Sequence, residues 1–165
     1  MDETLKNLAE AFAGESQARN KYLAFARKAE EEGYPQVARL FRAAAEAEWI
    51  HALNHLRAMG VIGSTAENLK SAMQGENYEW VNMYPPFVEQ AEREGNKRAR
   101  TSFEYAMEVE KTHENLYRQA LESLSPDMEE YDYYVCPVCG HTHPRNAPEK
   151  CPVCGAPGSK FIKVS

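Results

Sequence analysis

The chain has 165 residues, with 19 Lys and Arg against 25 Asp and Glu for a net charge of −6. That balance argues against nucleic acid and anionic membranes as partners, since both repel an acidic protein. One domain with a small appendage fits the length. No run of 18 apolar residues exists to span a membrane, and the charged start Met1-Asp2-Glu3-Thr4-Leu5-Lys6 lacks a signal-peptide core, so a cytoplasmic setting is expected.

Leu5, Leu8, Ala9, Phe12, Tyr22, Leu23, Phe25, Ala26 and Ala29 recur at helical spacing and predict a helix over residues 3–32. Gly33-Tyr34-Pro35 breaks it, and a second helix is expected over 36–59, ending at Gly60. With so short a break the two helices should be antiparallel neighbours. Residues 61–75 read as a long connection that could hold a short helix, with Ser64 and Glu67 as a capping-box pair. A third helix is expected over 76–94, kinked at Pro85-Pro86 and closed by Gly95-Asn96. The fourth spans 97–123, and its Lys97-Arg98-Ala99-Arg100 cluster is a solvated helix start rather than a binding patch. Two hairpins joined by one long crossover is the ferritin-like arrangement. The expected fold class is therefore an all-α, ferritin-like four-helix bundle over 1–130. An acidic, Tyr-rich stretch follows Ser125, and the domain boundary falls near 127–133. The remaining 131–165 segment is rich in Pro and Gly and too small to fold on apolar burial alone, so it needs a staple.

An internal repeat underlies the helical part. Phe41, Ala44, Glu46, Glu48 and His51 recur 62 residues later as Phe103, Ala106, Glu108, Glu110 and His113. At the same offset, Tyr22, Phe25, Ala29 and Gly33 match Tyr84, Phe87, Ala91 and Gly95, while Gly14-Glu15 matches Gly75-Glu76 after a one-residue slip. Such self-similarity marks a duplicated unit, here a helical hairpin. Each copy holds a Glu-x-x-His step, which sets a carboxylate and an imidazole on one helix face about 4.5 Å apart along the axis.

Di-iron carboxylate bundles take one Glu from each of two helices and a Glu-x-x-His from each of the other two. The expected ligands are Glu15 from the first helix, Glu48 and His51 from the second, Glu76 from the third, and Glu110 and His113 from the fourth. Carboxylates mixed with imidazole suit iron or manganese. Glu46 and Glu108 point to the far side, and His55 is left out of the set. The copies differ at Glu79, three residues after Glu76, whose counterpart is Ala18. Glu79 joins the candidate ligands because it shares the face of Glu76. Five carboxylates balance two ferric ions better than two ferrous ions, so Glu79 and His51 are expected to compete for one iron as its oxidation state changes.

All four cysteines lie in two copies of one knuckle, Cys136-Pro137-Val138-Cys139-Gly140 and Cys151-Pro152-Val153-Cys154-Gly155. In a reducing compartment this reads as metal binding rather than disulfides. Four thiolates suit one zinc or one iron, and spacing alone leaves that choice open. His141 and His143 are expected to be loop residues.

Ligand spacing and tail together resemble the rubrerythrin family across the whole chain. The matching segments are Gly14-Glu15-Ser16, Glu48-Trp49-Ile50-His51, Gly75-Glu76-Asn77-Tyr78-Glu79, Met83-Tyr84-Pro85, Glu110-Lys111-Thr112-His113 and the rubredoxin-like Cys136 to Gly155. The resemblance implies a non-haem di-iron peroxidase that reduces hydrogen peroxide to water. It implies a rubredoxin-like tail of short strands and knuckles whose Cys136, Cys139, Cys151 and Cys154 hold a mononuclear iron as electron relay. Glu48 and Glu110 would bridge the two irons, Glu15 with Glu79 or His51 would serve one, and Glu76 with His113 the other. Tyr22 and Tyr84 match the family's tyrosines that hydrogen-bond ligand carboxylates. The family commonly forms homodimers, some with exchanged helices, fed from NAD(P)H through separate reductases or a rubredoxin. Two other readings compete: a ferritin-like ferroxidase acting on iron and oxygen, and a structural metal bundle with a zinc-ribbon tail.

Overall fold

The structure, a computed structural model, describes residues 2–165. The chain divides into two compact units, the first ending at Gly63 and the second running from Ser64 to Ser165.

The first unit is a helical hairpin of α1 (Glu3–Glu31) and α2 (Pro35–Met59). The Asp2 side chain caps α1 by accepting from the Thr4 N–H at 3.3 Å. The reversal uses Gly33 at φ 81°, a left-handed conformation that only a residue without Cβ adopts cheaply. Pro35 then opens α2 where its missing N–H costs nothing. Every fully buried position here is an alanine: Ala26, Ala29, Ala38, Ala45 and Ala52. The three on α2 recur every seven residues, which keeps one seam facing α1. Small side chains along that seam let the helix axes approach closely. Tyr22, Phe25 and Phe41 close the turn end of the hairpin, with Phe25 and Phe41 rings 5.5 Å apart.

The second unit contains α3 (Thr65–Tyr78), a π-helical stretch (Glu79–Met83), α4 (Tyr84–Arg93) and α5 (Lys97–Glu122). Two expectations are corrected here. The third helix begins at Thr65 rather than 76, so most of the expected crossover segment is itself helical. The Ser64–Glu67 capping box is complete, with the Glu67 carboxylate accepting from the Ser64 N–H at 2.7 Å, and it nucleates the helix eleven residues early. Gly75 lies inside α3 and, unlike Gly33, Gly60 and Gly95, keeps a negative φ, so it does not end the helix. The interruption also moves: the backbone widens at 79–83, immediately before Pro85-Pro86, and the Tyr84 N–H reaches back to the Glu79 carbonyl.

The π-helical stretch explains the one-residue slip in the repeat. Tyr22 follows Glu15 by seven residues, about 20° short of two full turns, whereas Tyr84 follows Glu76 by eight, about 80° beyond them in a regular α-helix. A wider turn absorbs the surplus residue. The aromatic triads show the result. Tyr22–Phe41 and Phe25–Phe41 centroids lie 6.1 and 5.5 Å apart, and Tyr84–Phe103 and Phe87–Phe103 lie 6.2 and 5.6 Å apart.

The tail is a three-stranded antiparallel sheet in the order β2-β1-β3, from β1 (Tyr133–Val135), β2 (Thr142–Pro144) and β3 (Ile162–Val164). Gly158 packs so closely that a Cβ would lie 1.7 Å from the Pro148 carbonyl oxygen. No helix among the described residues is long and apolar enough to cross a membrane.

Candidate metal centres

Each hairpin gathers three of the expected ligands by itself. In the first unit, donor atoms of Glu15, Glu48 and His51 lie within 4.8 Å of one another. His51 Nδ1 is 2.9 Å from Glu48 Oε2 and 3.8 Å from Glu15 Oε1. In the second unit, Glu76, Glu110 and His113 form the same set. There His113 Nδ1 is 2.7 Å from Glu110 Oε2 and 3.9 Å from Glu76 Oε1. The Glu-x-x-His steps do this locally, as i, i+3 pairs on α2 and α5.

The second set is an electrostatic trap for a cation. Burial, then the neighbouring Glu110 charge and a hydrogen bond to that carboxyl, push Glu76 up to about 7. With no cation beside them, the nearby negative charge makes the Glu76 carboxyl hold its proton more tightly. Glu79 is outside the 4.8 Å set, but burial and the charge of Glu110 raise its pKa too. The His113 pKa is also raised, chiefly by its hydrogen bond to Glu110. Burial first, then the charges of Glu79, Glu110 and Glu76, keep the Tyr84 phenol protonated. Among the described residues neither Tyr22 nor Tyr84 hydrogen-bonds a carboxylate; both stack in the aromatic triads. The donor sets, three hard oxygens and nitrogens each, fit a divalent iron-type ion.

The four sulfurs also converge. Cys136 and Cys154 Sγ lie 3.6 Å apart, and Cys139 and Cys151 Sγ 3.5 Å. A tetrahedral ion with metal–sulfur bonds of about 2.3 Å requires sulfurs about 3.8 Å apart, so the cage fits one ion. All four cysteines are free thiols. Gly140 (φ 83°) and Gly155 (φ 76°) turn the knuckles. Burial works against ionising Cys151, but the N–H groups of Cys154 and Val153, together with the Cys139 and Cys154 thiols, outweigh it and bring the thiol down to about 7. Burial pushes the Cys139 thiol up. With every position filled by sulfur, a metal held there would have no open place for substrate.

Three features lay outside the sequence reading. Glu114 is a buried carboxylate that accepts from Trp80 Nε1 at 2.7 Å and Asn77 Nδ2 at 3.1 Å and pairs with Arg118. These bonds hold its pKa down and pin α3 and the π-helical stretch to α5, beside Glu76 and Glu79. His141 is 6% exposed, with no hydrogen-bond partner for either ring nitrogen, and burial lowers its pKa. Thr142 Oγ1 lies 2.9 Å from His113 Nε2. The sequence signal for Glu114 was weak: a Glu directly after the Glu-x-x-His step, where the first copy has Ala52.

Comparison with known proteins agrees with these sites. The family model described as Rubrerythrin matches residues 6–121, and that described as the rubrerythrin rubredoxin-like domain matches 134–162. Rubrerythrin-2 of Clostridium acetobutylicum is 38% identical, with 93% of this chain and 92% of the relative covered. Nigerythrin of Nitratidesulfovibrio vulgaris is 40% identical over 96% of this chain and 85% of its own. The structure of nigerythrin in its fully reduced, all-ferrous state superposes with a TM-score of 0.60 at 36% identity, covering 99% of this chain and 88% of that one. The ferritin-like class expected from the sequence holds, as do the paired carboxylate sets and the four-cysteine tail. The chain therefore belongs to the rubrerythrin family, di-iron oxidoreductases that carry a rubredoxin-like domain and act in oxidative stress.

Proposed function

We propose that this protein is a cytoplasmic peroxidase that reduces hydrogen peroxide to water. Residues 1–130 form the catalytic domain and 131–165 the electron-relay domain. The observation that carries this reading is the pairing, in one chain, of open carboxylate–imidazole sets with a closed tetrathiolate cage. The first leaves room for a small oxidant, and the second suits an electron relay. An iron storage protein needs no such relay.

Glu15, Glu48 and His51 would hold one iron, Glu76, Glu110 and His113 another, and Cys136, Cys139, Cys151 and Cys154 a third. Bound there, the irons of the carboxylate sites would supply two electrons and Lewis acidity for peroxide reduction, and an iron in the cysteine cage would supply electrons one at a time. Glu76 would release the proton it holds near neutral pH on binding metal, and Glu76 and Glu110 would then offset the metal charge. Glu79, close enough to Glu110 and His113 to feel their charge, would add a further carboxylate that favours the more highly charged, oxidised metal. The Tyr84 phenol keeps its proton and can donate to ligand carboxylates.

An external donor, a rubredoxin or an NAD(P)H-dependent reductase, recharges the tail. The working form is a homodimer, in line with the exposed Leu40, Trp49 and Ile50 on α2; light scattering tests it. The deciding experiment is stopped-flow oxidation of the fully reduced protein by peroxide and, separately, by oxygen, on protein carrying three irons per chain. Peroxide should react much faster. Comparable rates refute the peroxidase reading, and a colourless, zinc-loaded tail removes the relay.

A further inference from the structure

We propose that the Thr142 hydroxyl is a positioning residue for His113, fixing which ring nitrogen faces the metal and tying that ring to the cysteine knuckle. The inference rests on the reading of Glu76, Glu110 and His113 as metal ligands.

Thr142 Oγ1 sits between two groups, 3.2 Å from the Gly140 carbonyl oxygen and 2.9 Å from His113 Nε2. A carbonyl oxygen only accepts, so the hydroxyl proton goes to Gly140. The hydroxyl then turns a lone pair toward His113, and Nε2 must carry a hydrogen. With Nε2 committed to Thr142, Nδ1 is the nitrogen left for the carboxylates: it donates to Glu110 without metal and offers its lone pair once a cation displaces that proton. That nitrogen is the atom facing Glu110 Oε2 at 2.7 Å and Glu76 Oε1 at 3.9 Å. A cation taking the place of the Nδ1 proton would be gripped by that nitrogen and both carboxylates at one point. The opposite tautomer would set two lone pairs against each other at Thr142 or break the bond to Gly140.

The placement of Thr142 gives the bond a second role. It begins β2, two residues after Gly140, inside the turn that the first knuckle organises. There the Cys136 N–H donates to the His141 carbonyl at 2.9 Å, and the Gly140 N–H to the Cys136 carbonyl at 2.9 Å. A hydroxyl anchored on that turn can only aim His113 if the knuckle is folded. His51 differs: its Nδ1 meets Glu48, but among the described residues no side chain bonds its Nε2. Outer partners of this kind orient a histidine ligand and change metal affinity by about 10–100-fold when removed.

The test uses the full chain with zinc already in the cysteine site, titrated with cobalt(II) and followed by its visible absorption. Thr142→Val keeps the shape of the side chain and removes the hydroxyl; Thr142→Ser keeps the hydroxyl. Cobalt affinity at the carboxylate donors should fall about 10–100-fold in T142V and recover in T142S. Nitrogen NMR of histidine-labelled, zinc-loaded protein should show a slowly exchanging proton on His113 Nε2 in the wild type, and that protection should vanish in T142V. A merely structural role would lower stability without changing which nitrogen carries the proton. Equal cobalt affinity in all three proteins, with the Nε2 proton equally protected, overturns the inference. A wild type that binds no cobalt outside the cysteines overturns the metal reading and the inference together, and is recognised because the variants are not needed to see it.

Discussion

Replacing Glu76 by Gln should stabilise the metal-free protein and weaken the metal-loaded one. Without a cation, burial and the Glu110 charge raise the Glu76 pKa from 4.5 to about 7. Holding the group ionised at neutral pH then costs at most about 3 kcal/mol. The Glu76 side chain is 19% exposed, so solvent screens part of this and about 1–2 kcal/mol is the working figure. The sign follows from proton binding. Between pH 4.5 and 7 the folded protein holds the proton more tightly than the unfolded chain, so wild-type stability falls as pH rises through that window. Glutamine never ionises and escapes the loss. The gain should be absent below about pH 4.5 and complete above about pH 7, worth about 3–6 °C in Tm for a chain of this size. Thermal melts by circular dichroism in chelator, at about pH 4 and about pH 8, measure it. Added iron or cobalt should reverse the order of the two proteins, because the variant has lost a charged ligand. A variant no more stable than wild type at the higher pH, or a difference that ignores pH, refutes the reasoning.

Trp80→Phe removes the 2.7 Å donor to the buried Glu114 carboxylate and should cost about 1–3 kcal/mol in urea denaturation; a neutral result would deny that Glu114 clamps α3 to α5. Gly158→Ala would drive a methyl group into the Pro148 carbonyl, so the tail should lose its metal and visible colour while helical circular dichroism persists. Glu79→Ala should keep two irons in the reduced bundle yet slow turnover about tenfold or more, the scale of a lost positioned ligand group; full turnover would remove Glu79 from the oxidised site.

The candidate ligands were legible because their geometry is local. Glu48 and His51, like Glu110 and His113, share a face through helix periodicity alone, and the knuckles through Cys-x-x-Cys-Gly spacing. The start of α3 was written in Ser64 and Glu67, but Gly75 masked it: glycine is a helix breaker by propensity, and the helix on both sides outweighs that cost. The one-residue slip was visible as a mismatch, while its cause, a widened turn, depends on α5 holding both sides in place. Thr142 and Glu114 were not legible. Their partners, His113 for the first and Asn77 and Trp80 for the second, lie 29, 37 and 34 residues away in sequence, and only packing brings them together.

The widened turn at 79–83 has a consequence for how this chain can change. A substitution alters one side chain, but removing a single residue from this stretch would let it close to regular α-helix. Glu76 would then precede Tyr84 by seven residues, as Glu15 precedes Tyr22 in the first hairpin, and would keep its alignment with Glu110 and His113. Inserting one residue between Glu15 and Tyr22 would demand the same kind of wide turn in α1. Relatives of this protein should therefore change length along these walls only where a wide turn appears or disappears with the residue.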